Sequence, residues 1–353
     1  MNIVDTRNLF ISTEKVTTGN SLDTTLYLPQ GLMACEESQR MRLSLLTFSM
    51  RHNWYNINQY NNRFYIVAAD AGGAILASGL VTIPEGNYTS YDNNEHGLAL
   101  ILQTAILSTL VAMGVTTTTV NVDWSPLTGK FTIDYDVSEF ATWVDVKHIA
   151  FTINNYNSST GSLVQDIIGD NSVAAYQDVF EILGGCKNTK NDVDTFSSFT
   201  DIFSTTFVAG AMTAVSYWEA SLATEENIYL RTNLNNTSFQ TAGYDTGSNK
   251  YPEIVSSNIL AKIPIQNGAI DYQTSSASAS PDEGATTQKK SSVIFYTDNG
   301  SNVYSMYLQT KNQGSIRLYL TDSYGRSLPI TSPEMLSCNG LYFSCTLRVD
   351  VFG

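Results

Sequence analysis

Charge is what this sequence has least of. Asp, Glu, Lys and Arg together make up 15% of its 353 residues, against roughly 25% in an ordinary soluble chain. The charge present is lopsided: 33 acidic residues face 19 basic ones, for a net of −14. A nucleic-acid groove needs clustered Lys and Arg, and the longest basic run is Lys289-Lys290. Direct nucleic-acid binding is therefore not expected.

Cysteine and histidine are also scarce. The four cysteines are Cys35, Cys186, Cys338 and Cys345, and none forms a C-x-x-C pair, so no zinc site is read. Cys338 and Cys345 flank Asn339-Gly340 and could face one another across a hairpin, but buried free thiols are the preferred reading. No disulfide between Cys35 and Cys186 is expected, because the opening Met1-Asn2-Ile3-Val4-Asp5 has neither the basic start nor the apolar stretch of an export signal. Without that signal, the sequons at Asn87, Asn157, Asn235, Asn236 and Asn299 read as chance products of an Asn/Ser/Thr-rich chain.

His52, His96 and His148 lie far apart. No G-x-S-x-G elbow nominates a serine, and no Walker loop or G-x-G-x-x-G cradles a phosphate. Asp298-Asn299-Gly300 and Asp322-Ser323-Tyr324-Gly325 look superficially like calcium loops, but lack further acidic ligands nearby and read as turns. Glu36-Glu37 and Glu225-Glu226 are adjacent pairs. Neighbours in a strand point to opposite faces, so neither makes an acid/base couple, and a solvated edge is the better reading. Cys186 follows Gly184-Gly185 with no histidine close in sequence. No catalytic, cofactor-binding or metal-binding residue is nominated, no cofactor is expected, and the chain is not expected to be an enzyme.

Long apolar runs are missing too. Gly97 to Val115 is the best candidate for a membrane span, but it holds Gln103, Thr104, Ser108 and Thr109 and lacks a flanking basic cluster. A buried helix from His96 to Met113 is the better reading. Ser90 and Asp92 are candidate N-caps, Glu95 lies near the first turn, and Gly114 is the stop. The apolar spacing predicts burial of Leu98, Ile101, Leu102, Ala105 and Leu110.

What the sequence does have is hydrophobic residues at 42%, 20 tyrosines, and a surface that must be carried by Asn, Ser, Thr, Gln and Tyr. Few charges then need desolvating when faces meet, which suits assembly into ordered arrays. Short β-rich runs alternate with Asn, Gly and Asp clusters. Strands are expected at Asp23–Leu28, Met41–Met50, Arg63–Ala69, Ala74–Ile83, Thr117–Val122 and Lys130–Tyr135. Late strands are expected at Ile228–Thr232, Ile254–Ile265, Ala269–Tyr272, Val293–Tyr296, Asn302–Gln309, Ser315–Thr321 and Leu341–Val351. Between them, Val164–Ile168 and Ala174–Leu183 read as short helices ending at Gly184-Gly185, Ser197–Thr206 has no clear assignment, and Thr274–Lys290 reads as a mobile loop. Many short strands separated by turn signals indicate a β sandwich or jelly roll. Residues 63–135 add a strand-strand-helix-strand-strand α+β unit.

Three segments carry a family resemblance. The first is Met41 to Phe64, with Trp54-Tyr55-Asn56-Ile57-Asn58 and Asn61-Asn62-Arg63-Phe64. There the asparagines suit left-handed turn geometry, and Trp54 and Tyr55 can anchor a loop. The second is Ile83-Pro84-Glu85-Gly86-Asn87-Tyr88-Thr89 entering the helix, then Thr128-Gly129-Lys130-Phe131-Thr132-Ile133. Here Pro84 ends a strand, Gly86 permits a tight turn and Tyr88 packs at the helix entrance. The third is Ser257 to Ile265, followed by Ile316 to Leu320, Thr321-Asp322, Gly325 and a closing strand. Its Pro264 implies an edge strand or a bulge. In order and spacing these segments resemble the single-jelly-roll minor capsid proteins, the penton type, of eukaryotic double-stranded DNA viruses. That group includes virophages, Polinton-like viruses and giant viruses of the adenovirus-like lineage.

The resemblance implies a mainly β, antiparallel jelly-roll sandwich with an inserted α+β subdomain. Residues 1–62 would supply the first jelly-roll strands, 63–226 the insertion, and 227–353 the remaining strands. It implies a structural component of an icosahedral capsid, located in the virion and made without a secretory signal. The partners would be the chain itself, in a ring such as a pentamer, the major capsid protein and other minor capsid proteins. Rival readings are two β domains in tandem divided near residue 220, a carbohydrate- or receptor-binding viral β sandwich, and a hydrolase on a β sandwich.

Overall fold

The computed structural model describes residues 2–15, 20–52, 54–69, 75–88, 90–93, 97–114, 119–136, 148–152, 155–157, 162–164, 182–185, 203–208, 211–222, 226–234, 238–241, 254–265, 293–300, 303–323, 325–329 and 341–353. The chain opens with three strands, β1 (Ile3–Ser12), β2 (Asp23–Tyr27) and β3 (Arg40–Arg51). Then come β4 (Arg63–Ala69), β5 (Ile75–Thr82), the helix α1 (Leu98–Ala112), β6 (Val120–Ser125) and β7 (Lys130–Asp136). Five strands follow: β8 (His148–Thr152), β9 (Asn155–Asn157), β10 (Ser162–Val164), β11 (Phe203–Val208) and β12 (Ala211–Ser216). The last eight are β13 (Asn227–Thr232), β14 (Ser238–Thr241), β15 (Ile254–Ser257), β16 (Ile259–Pro264), β17 (Val293–Thr297), β18 (Ser305–Tyr307), β19 (Ser315–Thr321) and β20 (Phe343–Phe352).

Two compact units emerge. The first joins Met1–Trp54, Glu225–Ala269 and Lys290–Gly353; the second joins Tyr55–Thr224 and Ile270–Lys289. The first unit holds two antiparallel sheets. One runs β1-β20-β3-β17, with β18 also pairing β3, and the other runs β16-β13-β19-β2. Counting only the eight principal strands, the order is first-eighth-third-sixth in one sheet and fifth-fourth-seventh-second in the other. That interleaving, with early and late strands paired in both sheets, is the strand order of a jelly roll. The fold is thus an antiparallel jelly-roll sandwich, established by its pairings.

Alternation explains which side of each strand is buried. In β20, Phe343, Cys345, Leu347, Val349 and Val351 point inward, and β3 answers with Met41, Leu43, Leu45, Phe48 and Met50. Strict alternation would fail at Leu45 and Phe48, which lie three apart. A register shift between Thr346 and Leu347 inserts one residue, so Thr346 faces Thr47 and Leu347 faces Leu45. This bulge keeps both ends of β3 facing the core. From the other sheet, Ile228, Leu230, Ala261, Ile263, Ile316, Leu318 and Leu320 complete the core, with Trp54 sealed into it. Pro264 is the last residue of β16, an edge strand of its sheet, where its missing donor costs no ladder bond.

The second unit contains the expected order β4, β5, α1, β6, β7, but these strands do not form one small sheet. β4 and β5 join β8 in a three-stranded sheet, and β6 and β7 join β12 and β11 in a four-stranded one. The helix touches both. Thr109 Oγ1 donates to the Leu80 carbonyl of β5 at 3.3 Å, and the Val122 N–H of β6 donates to Gln103 Oε1 at 3.2 Å. Its buried residues are Leu98, Ala99, Leu102, Ile106, Thr109 and Leu110; the expected Ile101 and Ala105 are only partly buried.

Helix α1 begins at Leu98, with Gly97 as N-cap, and neither Ser90 nor Asp92 caps it with a side chain. Instead, the Ser90 and Tyr91 carbonyls accept the Leu98 and Ala99 N–H groups, satisfying two of the otherwise free donors through the backbone. Gly114 does stop the helix, at φ +91°. His96 and Glu95 lie outside the described residues.

Other expectations change in this unit. Val164, read as the start of a helix, ends strand β10, and residues 165–168 lie outside the described set. Of Ala174–Leu183 only Ile182 and Leu183 are described, as helical turn, with Gly184 following at φ +67°. Ser197–Thr206 falls partly on β11. The asparagines of residues 56–62 act as hydrogen-bonding groups: Asn58 N–H donates to Asn61 Oδ1 at 2.7 Å, and Asn56 exchanges bonds with the Tyr88 backbone at 2.7 and 2.9 Å. Asn56 thereby ties this loop to the 84–88 loop, where Tyr88 OH donates back to the Pro84 carbonyl at 2.8 Å. Gly86 does not have positive φ; it pairs with Ile57 in an isolated bridge.

Candidate interaction surface

The side of the β1-β20-β3-β17 sheet that faces away from the core is built by the same alternation that fills it. Opposed residues of an antiparallel pair share a face, so the pairings define rows across it. One row is Phe10, Thr346, Thr47 and Thr297, and the next is Ser12, Ser344, Ser49 and Phe295. Going the other way come Asn8, Arg348, Ser44 and Ser305, then Thr6, Asp350, Arg42 and Tyr307. Arg40 opposite Phe352 and Arg51 opposite Val293 close the two ends.

The middle of this face is hydroxyl-lined and internally satisfied. Thr47 Oγ1 donates to Thr346 Oγ1 at 2.9 Å, and the Ser49 and Ser344 hydroxyls bond at 2.8 Å. Aromatics flank it: Phe10 is 81% exposed and Phe295 57% exposed.

At one end lies a buried charge cluster. Asp350 is 0% exposed and accepts hydrogen bonds from Arg42 at 2.8 Å, Arg348 at 2.7 Å and Thr6 at 2.9 Å. Burial by itself would raise its pKa; the hydrogen bonds from Arg42, Arg348 and Thr6, with the Arg348 charge, outweigh that and hold it below the ordinary carboxyl value. The Arg42 guanidinium also lies 5.0 Å from the centre of the Phe352 ring, a cation–π contact.

The second unit has its own exposed cluster. At one end of its four-stranded sheet, Leu127 in the β6–β7 turn is 93% exposed and Trp218, just past β12, is 66% exposed. The Trp218 backbone is fixed: its N–H donates to the Gly184 carbonyl at 2.8 Å, and the neighbouring Ala220 N–H donates to the Gly129 carbonyl at 2.8 Å.

The residues weighed for chemistry are placed as follows. His52 is buried beside Trp54, with ring centres 4.2 Å apart. His148 begins β8, and Cys186 and Glu225 lie outside the described residues. Glu36 and Glu37 are exposed in a turn closed by the Gln39 N–H donating to the Glu36 carbonyl at 3.0 Å. Asp322 is committed to its turn, accepting from the Arg326 backbone N–H at 2.8 Å and from its guanidinium at 2.5 Å. Among the described residues, no three His, Cys, Asp or Glu side chains come together as a metal site, and no helix is long and apolar enough to cross a membrane.

Cys35 and Cys345 are free thiols, while Cys338 lies outside the described residues. Burial pushes the Cys345 thiol up to about 12, whereas Cys35 is partly exposed. A thiol reagent applied to the native protein is expected to modify Cys35 well before Cys345, because only accessible thiolate reacts. Equal labelling, read by peptide mass spectrometry, would contradict the packing of β20.

No protein-family model matches the sequence, and no curated protein matches it. Among solved structures, the chain is similar to the mavirus penton protein, at 10% identity and a TM-score of 0.43, covering 98% of this chain and 99% of that one. It is also similar to a chain of the Sputnik virophage structure, at 13% identity and a TM-score of 0.37, covering 98% of each.

Proposed function

We propose that the chain is a structural component of an icosahedral viral capsid, a minor capsid or penton protein that self-associates and contacts the major capsid protein. The observation that carries this reading is the jelly-roll strand order, the architecture from which viral shells are commonly built. Fold alone does not fix function, so two further features matter. The sequence motifs resemble those of penton-type proteins, and the low charge of 15% keeps desolvation cheap when surfaces meet. In this reading the unit of residues 55–224 and 270–289 is an insertion carried by the jelly roll, the chain resides in the virion, and it has no enzymatic role.

The test is the density of purified particles. Five copies about a five-fold axis are the expected result; copies spread beneath the facets would keep the capsid and remove the penton. Absence from the particle, with turnover of any substrate, would defeat the reading.

A second reading, a carbohydrate- or receptor-binding β sandwich, is favoured by one observation: the backbone-fixed, exposed Trp218. An exposed indole can stack on a sugar face. Binding of the protein to a glycan array, lost in Trp218→Ala, would support it.

A further inference from the structure

We infer that the outer face of the β1-β20-β3-β17 sheet is a docking surface for the acidic surface of a second copy of this chain. This rests on the self-association in the proposed function and names the face responsible. The five strands β1, β3, β17, β18 and β20 contain no lysine and no glutamate. Their charged residues are Arg40, Arg42, Arg51 and Arg348 against Asp350 on the outer face, with Arg7 and Asp5 on the alternate side of β1. Arginine and aromatics enriched, lysine and glutamate depleted, is the composition of the core of a protein interface.

Charge supplies the partner. The sheet is net basic in a chain of net −14, which leaves 14 of the 19 basic and 31 of the 33 acidic residues elsewhere. Two copies meeting through the rest of their surfaces would set like charge against like charge. A contact that puts this face on an acidic surface is attractive, and such a contact joins two different patches. It is therefore heterologous, the kind that closes into rings.

The face is also cheap to cover. Its central hydroxyls already bond in pairs, Ser49 with Ser344 and Thr47 with Thr346, so losing water there strands few polar groups. Asp350 already occupies Arg42 and Arg348. Arg40 and Arg51, both exposed at opposite ends of β3, are the charges left for a partner, and Phe10, Phe295 and Tyr307 provide the apolar contact.

The test is sedimentation of the full-length protein over a wide concentration range, at low and high salt. The expected result is association that weakens with salt. It should weaken by about tenfold or more in Arg40→Glu/Arg51→Glu, and equally in Phe10→Ser/Phe295→Ser, about 1.4 kcal/mol per tenfold. Neither pair fills the core, so unchanged melting shows that both variants fold. Unaltered association in both folded variants, or a wild type that stays monomeric at its highest soluble concentration, would overturn the inference. Salt-sensitive binding of a short DNA duplex that these arginines control would also overturn it, by assigning the face to phosphate. In particle density, this face packed on a different protein sinks the inference and leaves the capsid role standing, whereas absence from the particle sinks the capsid role.

Discussion

Asp350→Ala is expected to destabilise the jelly-roll unit by about 3–5 kcal/mol, the cost of removing one partner from a buried ion pair. The carboxylate is fully buried, and Arg42 and Arg348 both spend a donor on it. Removing it leaves the 18%-exposed Arg42 side chain without its counter-charge at one end of the outer face. The effect should depend on pH in a defined direction. The folded-state pKa of Asp350 lies below its ordinary value, so its contribution is fully present above the ordinary carboxyl range. That contribution is lost as pH falls through the folded value. Denaturant unfolding of the two proteins should therefore differ most near neutrality and converge in acid. A difference that stayed constant down to the acid limit would mean that Asp350 serves only to fill space.

Gly184→Ala is expected to destabilise the second unit by roughly 2–5 kcal/mol, from two costs that both fall on backbone. Gly184 has φ +67°, a conformation costing an L-residue about 1–2 kcal/mol. A Cβ there would also sit 2.1 Å from the Trp218 carbonyl oxygen, and overpacking typically adds about 1–3 kcal/mol. That oxygen cannot retreat freely, because the Trp218 N–H is bonded to Gly184 itself and Ser216 Oγ donates to the Leu183 carbonyl at 2.7 Å. Hydrogen exchange should show the loss in β7 and β12, with β3 and β20 unaffected. Wild-type protection throughout would mean that the 182–185 turn is not held against β12.

The parts legible in the sequence are those whose signal is local. Arg63–Ala69 and Ser315–Thr321 fall on β4 and β19 residue for residue, because turn residues bound runs of β-formers. The helix was legible from its length and from Gly114. The first strand was not, although it pairs with β20 over nearly its whole length. Only Leu9 and Ile11 of β1 are buried, too short an alternation to separate from a polar lead-in. Ile254–Ile265 reads as one strand yet is two, since Ser257 pairs with Ser238 and Ile259 with Arg231. Asn258 marks the change, and its Oδ1 accepts from the buried Arg231 at 3.0 Å. The outer face was invisible for a different reason. Arg42, Arg348, Phe10 and Phe295 are unremarkable one by one, and become a surface only when register sets them side by side.

β20 lies between β1 and β3, so the sheet has no centre until residues some 340 positions apart, such as Thr6 and Asp350, have met. Contacts that distant are slow to form, while the hairpins β4–β5 and β6–β7 close over short stretches of chain. During synthesis the second unit can therefore take shape while the face carrying Arg348 and Asp350 does not yet exist. A nascent chain without β20 lacks that face altogether. Strand order thus makes this face one of the last parts of the fold to form.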